Sequence, residues 1–154
     1  MTIQELMQKW DFNYIIPYEY SNVEELIEKA DGTLLILLAS KCHISHKKLM
    51  YVNSLWANEG KAWLNYTYYK HIFAWIQKGI TLGESDVEIY QSDYTCSSFA
   101  VSEIFNEMNR FHCVSQNTEQ LKKDRLEFLT KGANIIRENI GSEIITLLNN
   151  AINQ

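Results

Sequence analysis

The sequence is poor in the residues that punctuate a chain. With one proline, Pro17, and six scattered glycines it has no linker to divide its 154 residues, no repeat and no low-complexity segment. The same scatter leaves no glycine-rich phosphate loop, so nucleotide-dependent chemistry is disfavoured and no cofactor is implied. Long hydrophobic runs are missing too: the longest, Leu34 to Ala39, is far short of the roughly 20 residues that span a bilayer. Met1-Thr2-Ile3-Gln4-Glu5 has an early acid and no basic leader, unlike a secretory signal. Cysteine is scarce and odd in number, with Cys42, Cys96 and Cys113, which favours free thiols in a reducing compartment over a disulfide framework. Without a secretory route, the glycosylation pattern Asn65-Tyr66-Thr67 reads as chance. Cations are also few. Lys and Arg number 14 against 19 Asp and Glu, for a net charge of −5, and they cluster only at Lys47-Lys48 and Lys122-Lys123 near Arg125. A nucleic-acid partner would need a more concentrated basic surface. These absences describe a soluble, acidic, cytoplasmic protein of one domain, residues 1–154, with neither membrane nor nucleic acid as partner. A protein delivered into a host cell would fit the same profile, and the oligomeric state stays open.

What the chain does contain is ordinary globular hydrophobicity, 46%, and many aromatics, including nine Tyr and four Trp. Ile3, Leu6, Met7 and Trp10 recur at helical spacing. Phe12 to Tyr20 is aromatic and β-branched, and Pro17 makes it an edge strand or extended arm. Ser21 with Glu24 forms a capping-box pattern for a helix carrying Val23, Leu26 and Ile27, which Asp31-Gly32 stops. The apolar run over residues 33–39 predicts a buried strand, and Leu49 to Val52 a second one, ended by Asn53-Ser54. Trp63, Tyr66, Phe73 and Ile76 mark a central helix from Lys61 to about Lys78, with Gly79 as its cap. Residues 86–91 alternate as a half-buried strand. Val101, Ile104, Phe105, Met108 and Phe111 then return to helical spacing. Asn117 with Gln120 starts the C-terminal helices, two or three of them, broken near Gly132 and Gly141. The expected order is α-β-α-β-β-α-β-α followed by helices: an α+β fold, with a small mixed or antiparallel sheet packed against helices and a helical C-terminal third. Because short apolar runs also suit buried helix, an all-α fold is the alternative.

The stretch with most chemical content is Val87 to Val101, which places Cys96 where a strand hands over to a helix. A thiol at a helix N-terminus feels the positive end of the dipole, which favours the thiolate and suits a nucleophile. Gln91 is then an amide donor for an oxyanion. The plainer alternative is that Cys96 is a small buried hydrophobe.

Here the sequence resembles the ubiquitin-like-protein proteases and the related YopJ-type acetyltransferase effectors. Leu49-Met50-Tyr51-Val52-Asn53-Ser54-Leu55 resembles their acid-bearing strand, and Cys96-Ser97-Ser98-Phe99-Ala100-Val101 their nucleophile helix; the likeness runs over roughly residues 30–110 in element order. It implies Cys96 as nucleophile, Asn53 in the place of the acid and Gln91 as polar helper. The family's histidine position falls on residues 32–34, where there is none, so the base would have to be His43 or His46 from the adjacent loop.

Other constellations compete. Cys42-His43-Ile44-Ser45 looks like a monothiol redox site, but Pro17 lies upstream of it, so no proline loop faces it; its alternative is a polar loop. Cys42, His43, His46 and His112-Cys113 make a metal site only on paper, since their spacing matches no zinc pattern. His71 is an edge histidine rather than a ligand. The surplus aromatics Trp56, Tyr68, Tyr69 and Trp75 supply a candidate patch for a partner protein. The function expected is therefore a non-catalytic or degenerate cysteine-peptidase-like or acyltransferase-like protein that works by protein binding, as an effector, inhibitor or immunity-like factor. The alternatives are an active acyl-transfer enzyme using Cys96, and an all-helical binding module.

Overall fold

The structure is a computed structural model that describes residues 1–12 and 20–154. Seven α-helices account for 79% of it, and there is no strand among the described residues. The expected α+β class is thus overturned in favour of the all-α alternative. The arm expected over Phe12 to Tyr20 lies mostly outside the described residues.

Capping fixes the short N-terminal helices. The first, α1 (Ile3–Lys9), opens on a Thr2–Glu5 capping box. In α2 (Val23–Lys29) the cap is Asn22, whose side chain accepts the Glu25 N–H at 2.8 Å, one residue later than the Ser21–Glu24 pattern suggests. Asp31-Gly32 opens a helix rather than ending one. Asp31 accepts the Leu34 N–H at 2.9 Å and starts α3 (Gly32–Lys41), the segment expected as a buried strand. Leu34, Leu35, Leu38 and Ala39 are buried, but Leu37 is exposed on the opposite side, so α3 shows little amphipathic contrast.

Ser45 caps α4 (His46–Gly60), which absorbs the second expected strand, Leu49 to Val52. Asn53 and Ser54 do not end it; they are buried within it. A 3₁₀ turn (Lys61–Trp63) and a non-helical stretch follow, and only then α5 (Lys70–Gly83), so the central helix starts later than Lys61 and runs past Gly79. Gly79 serves close approach rather than capping: a Cβ there would meet the Ser54 Oγ at 1.9 Å. Residues 86–90, expected as a strand, form an irregular link that Lys47 ties down by donating to the carbonyls of Ser85 and Val87, the latter at 2.7 Å.

Two long helices complete the fold, α6 (Gln91–Ser115) and α7 (Thr118–Ile152). As expected from Asn117 and Gln120, the Asn117 side chain accepts the Gln120 N–H at 3.1 Å. However, α7 is one helix of 35 residues, unbroken at Gly132 and Gly141 and about 52 Å long at 1.5 Å per residue. It belongs to two apolar clusters. Ile136, Ile140, Ile144 and Leu148 pack with α1, α2, α3 and the start of α4; Phe128 packs with α5, α6 and the end of α4. Trp56 of α4 lies at the junction, 2% exposed, its indole N–H donating to the Phe128 carbonyl at 2.9 Å.

Candidate functional site

The residues expected to carry acyl-transfer chemistry are dispersed. Cys96 is the sixth residue of α6, in its second turn, whereas the dipole effect is confined to the first. The strand expected to feed it is the irregular link, and no hydrogen bond joins its thiol to an imidazole among the described residues. Gln91, first in the helix and exposed, is five residues from Cys96, about 140° around the axis, so amide and thiol point to different sides. His46 opens α4 and stacks on Tyr94 of α6, with ring centroids 4.8 Å apart and planes 5° from parallel. Asn53 is on the same face of α4 seven residues on, about 10 Å along the axis, too far to orient that imidazole. Asn53 is instead 2% exposed, and its Nδ2 has no partner among the described residues. Lys78 of α5 pairs with Asp93 at 2.9 Å. That pairing, with the Tyr90 N–H, holds the Asp93 carboxyl below its ordinary value.

His43 and Cys42 follow α3. His43 has φ 60°, the left-handed turn that ends the helix, and Cys42 caps the C-terminus, the negative end of the dipole. The monothiol reading needed a helix start, so its geometry is reversed. Burial pushes the Cys42 thiol up to about 11. With Lys9, Trp10 and Lys41, these two residues line a cavity of about 340 Å³. A raised thiol pKa means that thiolate appears only as pH climbs. Peptide-resolved alkylation should therefore label exposed Cys113 near pH 8 while Cys42 reacts on the order of a hundredfold more slowly, catching up toward pH 11. Equal rates at pH 8 would contradict this environment. No group of three or more His, Cys, Asp or Glu that could hold a metal ion exists among the described residues.

The aromatic candidates divide sharply. Trp56 is sealed in the core, between Gly32 of α3 and Gly132 of α7, and cannot present a surface. Tyr68 is 78% exposed in the stretch before α5. Tyr69 and Trp75 are half-buried along α5, where it lies against α6. His71 bridges them, 6.3 Å from Tyr69 and 5.0 Å from Trp75 between ring centroids. Trp75 in turn meets Phe99 edge-on at 6.1 Å.

Sequence reasoning missed Phe99 as a surface residue, and it missed the acids beside Tyr69. It also placed Phe111 on the core stripe, although that ring is 63% exposed. A signal was present: residues 99, 103, 107 and 111 recur every four positions, which places Phe99, Glu103, Glu107 and Phe111 on one helical face. The Tyr69 hydroxyl bonds to both Glu103 and Glu107, and these carboxylates raise its pKa. A part-buried pair, His112 Nε2 and Asp124 Oδ2 at 2.6 Å, fastens α6 to α7. No described helix is long and apolar enough to cross a membrane. No protein-family model matches the chain, and neither the curated proteins nor the solved structures give a match.

Proposed function

We propose that this chain is an all-helical binding module that acts by docking a partner protein. One observation carries the reading: Phe99, 50% exposed, meets the half-buried Trp75 of α5 at 6.1 Å, and Tyr66 and Tyr68, 60% and 78% exposed, stand just before the same helix. Large rings left in water around one element, while the core is well supplied with Leu and Ile, favour a surface kept for contact, because aromatic anchors dominate interface energetics. Cys96 has no part in this function beyond lying at the edge of the same surface.

The test is recovery of a partner from the native cell with the full chain as bait. A partner held by the wild-type chain and by Cys96→Ser, and lost with the double variant Tyr68→Ser and Phe99→Ser, is the expected pattern. Both substitutions are at exposed positions, so the bait should keep its helical circular dichroism. Retention of the partner by the double variant together with loss by Cys96→Ser would move the function to the thiol and overturn the proposal.

A further inference from the structure

We infer that the seam between α5 and α6 is the docking surface and that it takes a basic segment of the partner, a lysine or arginine flanked by apolar residues. The inference rests on the binding reading above and adds the chemistry of what is bound. Aromatics flank the seam: Trp75 of α5 against Phe99 at one end, and, beyond the start of α5, Trp63 of the 3₁₀ turn against Phe111, 5.9 Å between centroids, at the other. Glu103 and Glu107 lie between them.

The charge in that middle stretch does not balance. Tyr69 has one hydroxyl proton to offer two carboxylates, with Glu103 Oε1 at 3.1 Å and Glu107 bonded as well. One cation attends them. Arg110 bonds to Glu107 and to the Tyr69 oxygen at 3.1 Å, and its other terminal nitrogen is 4.0 Å from Glu103. Two acids against one base leave a surplus negative charge.

The members also differ in how firmly they are held. Glu103 and Glu107 are 13% and 20% exposed, whereas Arg110 is 64% exposed. The carboxylates are thus partly desolvated and fixed, and the guanidinium is the part that can be displaced. Arg110 shows what the site accepts and stands where a partner's cation would enter. Other nearby cations are engaged elsewhere: Lys78 with Asp93, and Lys70 over the Tyr66 ring at 5.8 Å from its centroid. An incoming lysine or arginine would find carboxylates to pair with and aromatic rings on either side for its apolar neighbours.

Selection of a random peptide display library on the full chain tests this. The enriched peptides should carry Lys or Arg between apolar residues. Their affinity should fall about tenfold or more on Glu103→Gln with Glu107→Gln, which keeps the shape and removes the charge. It should rise several-fold on Arg110→Ala, and association with the wild-type chain should slow in roughly 0.5 M salt. Peptides that lose Phe99→Ser but bind the double glutamine variant as well as wild type, with no salt effect, would leave a docking seam and overturn the basic partner. Peptides that are neutral or acidic, or that bind every variant alike, would overturn the seam as well.

Discussion

Gly132→Ala is expected to lower the unfolding free energy by about 3 kcal/mol and the thermal midpoint by roughly 10 °C, measured by chemical and thermal melts. A Cβ at Gly132 would be 2.2 Å from the Trp56 indole, an overlap that a packed core cannot absorb. Neither neighbour can give way cheaply. The indole is clamped on its other side by Gly32, where an added Cβ would lie at 2.9 Å, and it is tethered by its hydrogen bond to Phe128. Gly141, nine residues further along the same helix, provides the control. A Cβ there meets only the Arg137 Cβ, at an ordinary 3.7 Å. Gly141→Ala should therefore stabilise by about 1 kcal/mol, the usual gain of alanine over glycine inside a helix. If both substitutions destabilise equally, the slot around Trp56 is not where the structure places it.

The second large effect is expected at Arg137. Its guanidinium reaches from α7 to the end of α2 and donates to three carbonyls: Ile27 at 2.7 Å, Glu28 at 2.6 Å and Ala30 at 2.7 Å. Carbonyls at a helix C-terminus have no partner within the helix, so a cation that satisfies three of them both caps α2 and fastens it to α7. Arg137→Ala should cost about 2 kcal/mol, since hydrogen bonds to charged groups are worth more than neutral ones and water replaces only part of them. Amide exchange should accelerate most over Val23 to Ala30. Arg137→Lys should recover less than half of the loss, because a point charge cannot span three acceptors as a planar fork does. An unchanged exchange rate in α2 would show that the cap is dispensable.

These positions also show which features of the fold were legible in the sequence. Where a helix has one wet face, the pattern told: Ile3, Leu6 and Met7 line α1, Val23, Leu26 and Ile27 line α2, and all six are buried. It failed where the wet side of a helix is itself apolar. Leu34 to Ala39 is apolar throughout although Leu37 is exposed and Ile36 half-buried, and periodicity then no longer separates helix from strand. Asn53 and Ser54 read as strand-ending polar residues, yet both lie inside α4. Val87 and Ile89 alternate by accident, since Val87 is 59% exposed and the segment is irregular. Gly79 and Gly132 looked like helix ends because glycine is the usual residue past one; here its missing side chain admits Ser54 and Trp56. No local pattern can announce such a need, because the partner is dozens of residues away. The same limit applies to the site. Tyr69 and Trp75 were visible as aromatics, but the acids beside Tyr69 belong to α6, and only the folded chain brings them together.

A last consequence concerns any attempt to divide the molecule. The final helix runs through both apolar clusters, supplying Phe128 to one and Ile136, Ile140 and Ile144 to the other. A chain truncated before Gly132 would strip Leu34, Leu35 and Leu38 of the surface they lie against, and one truncated before Phe128 would also lose that ring from beside Trp56. Neither piece would retain a complete interior, so the smallest unit that can stand by itself must keep that rod whole.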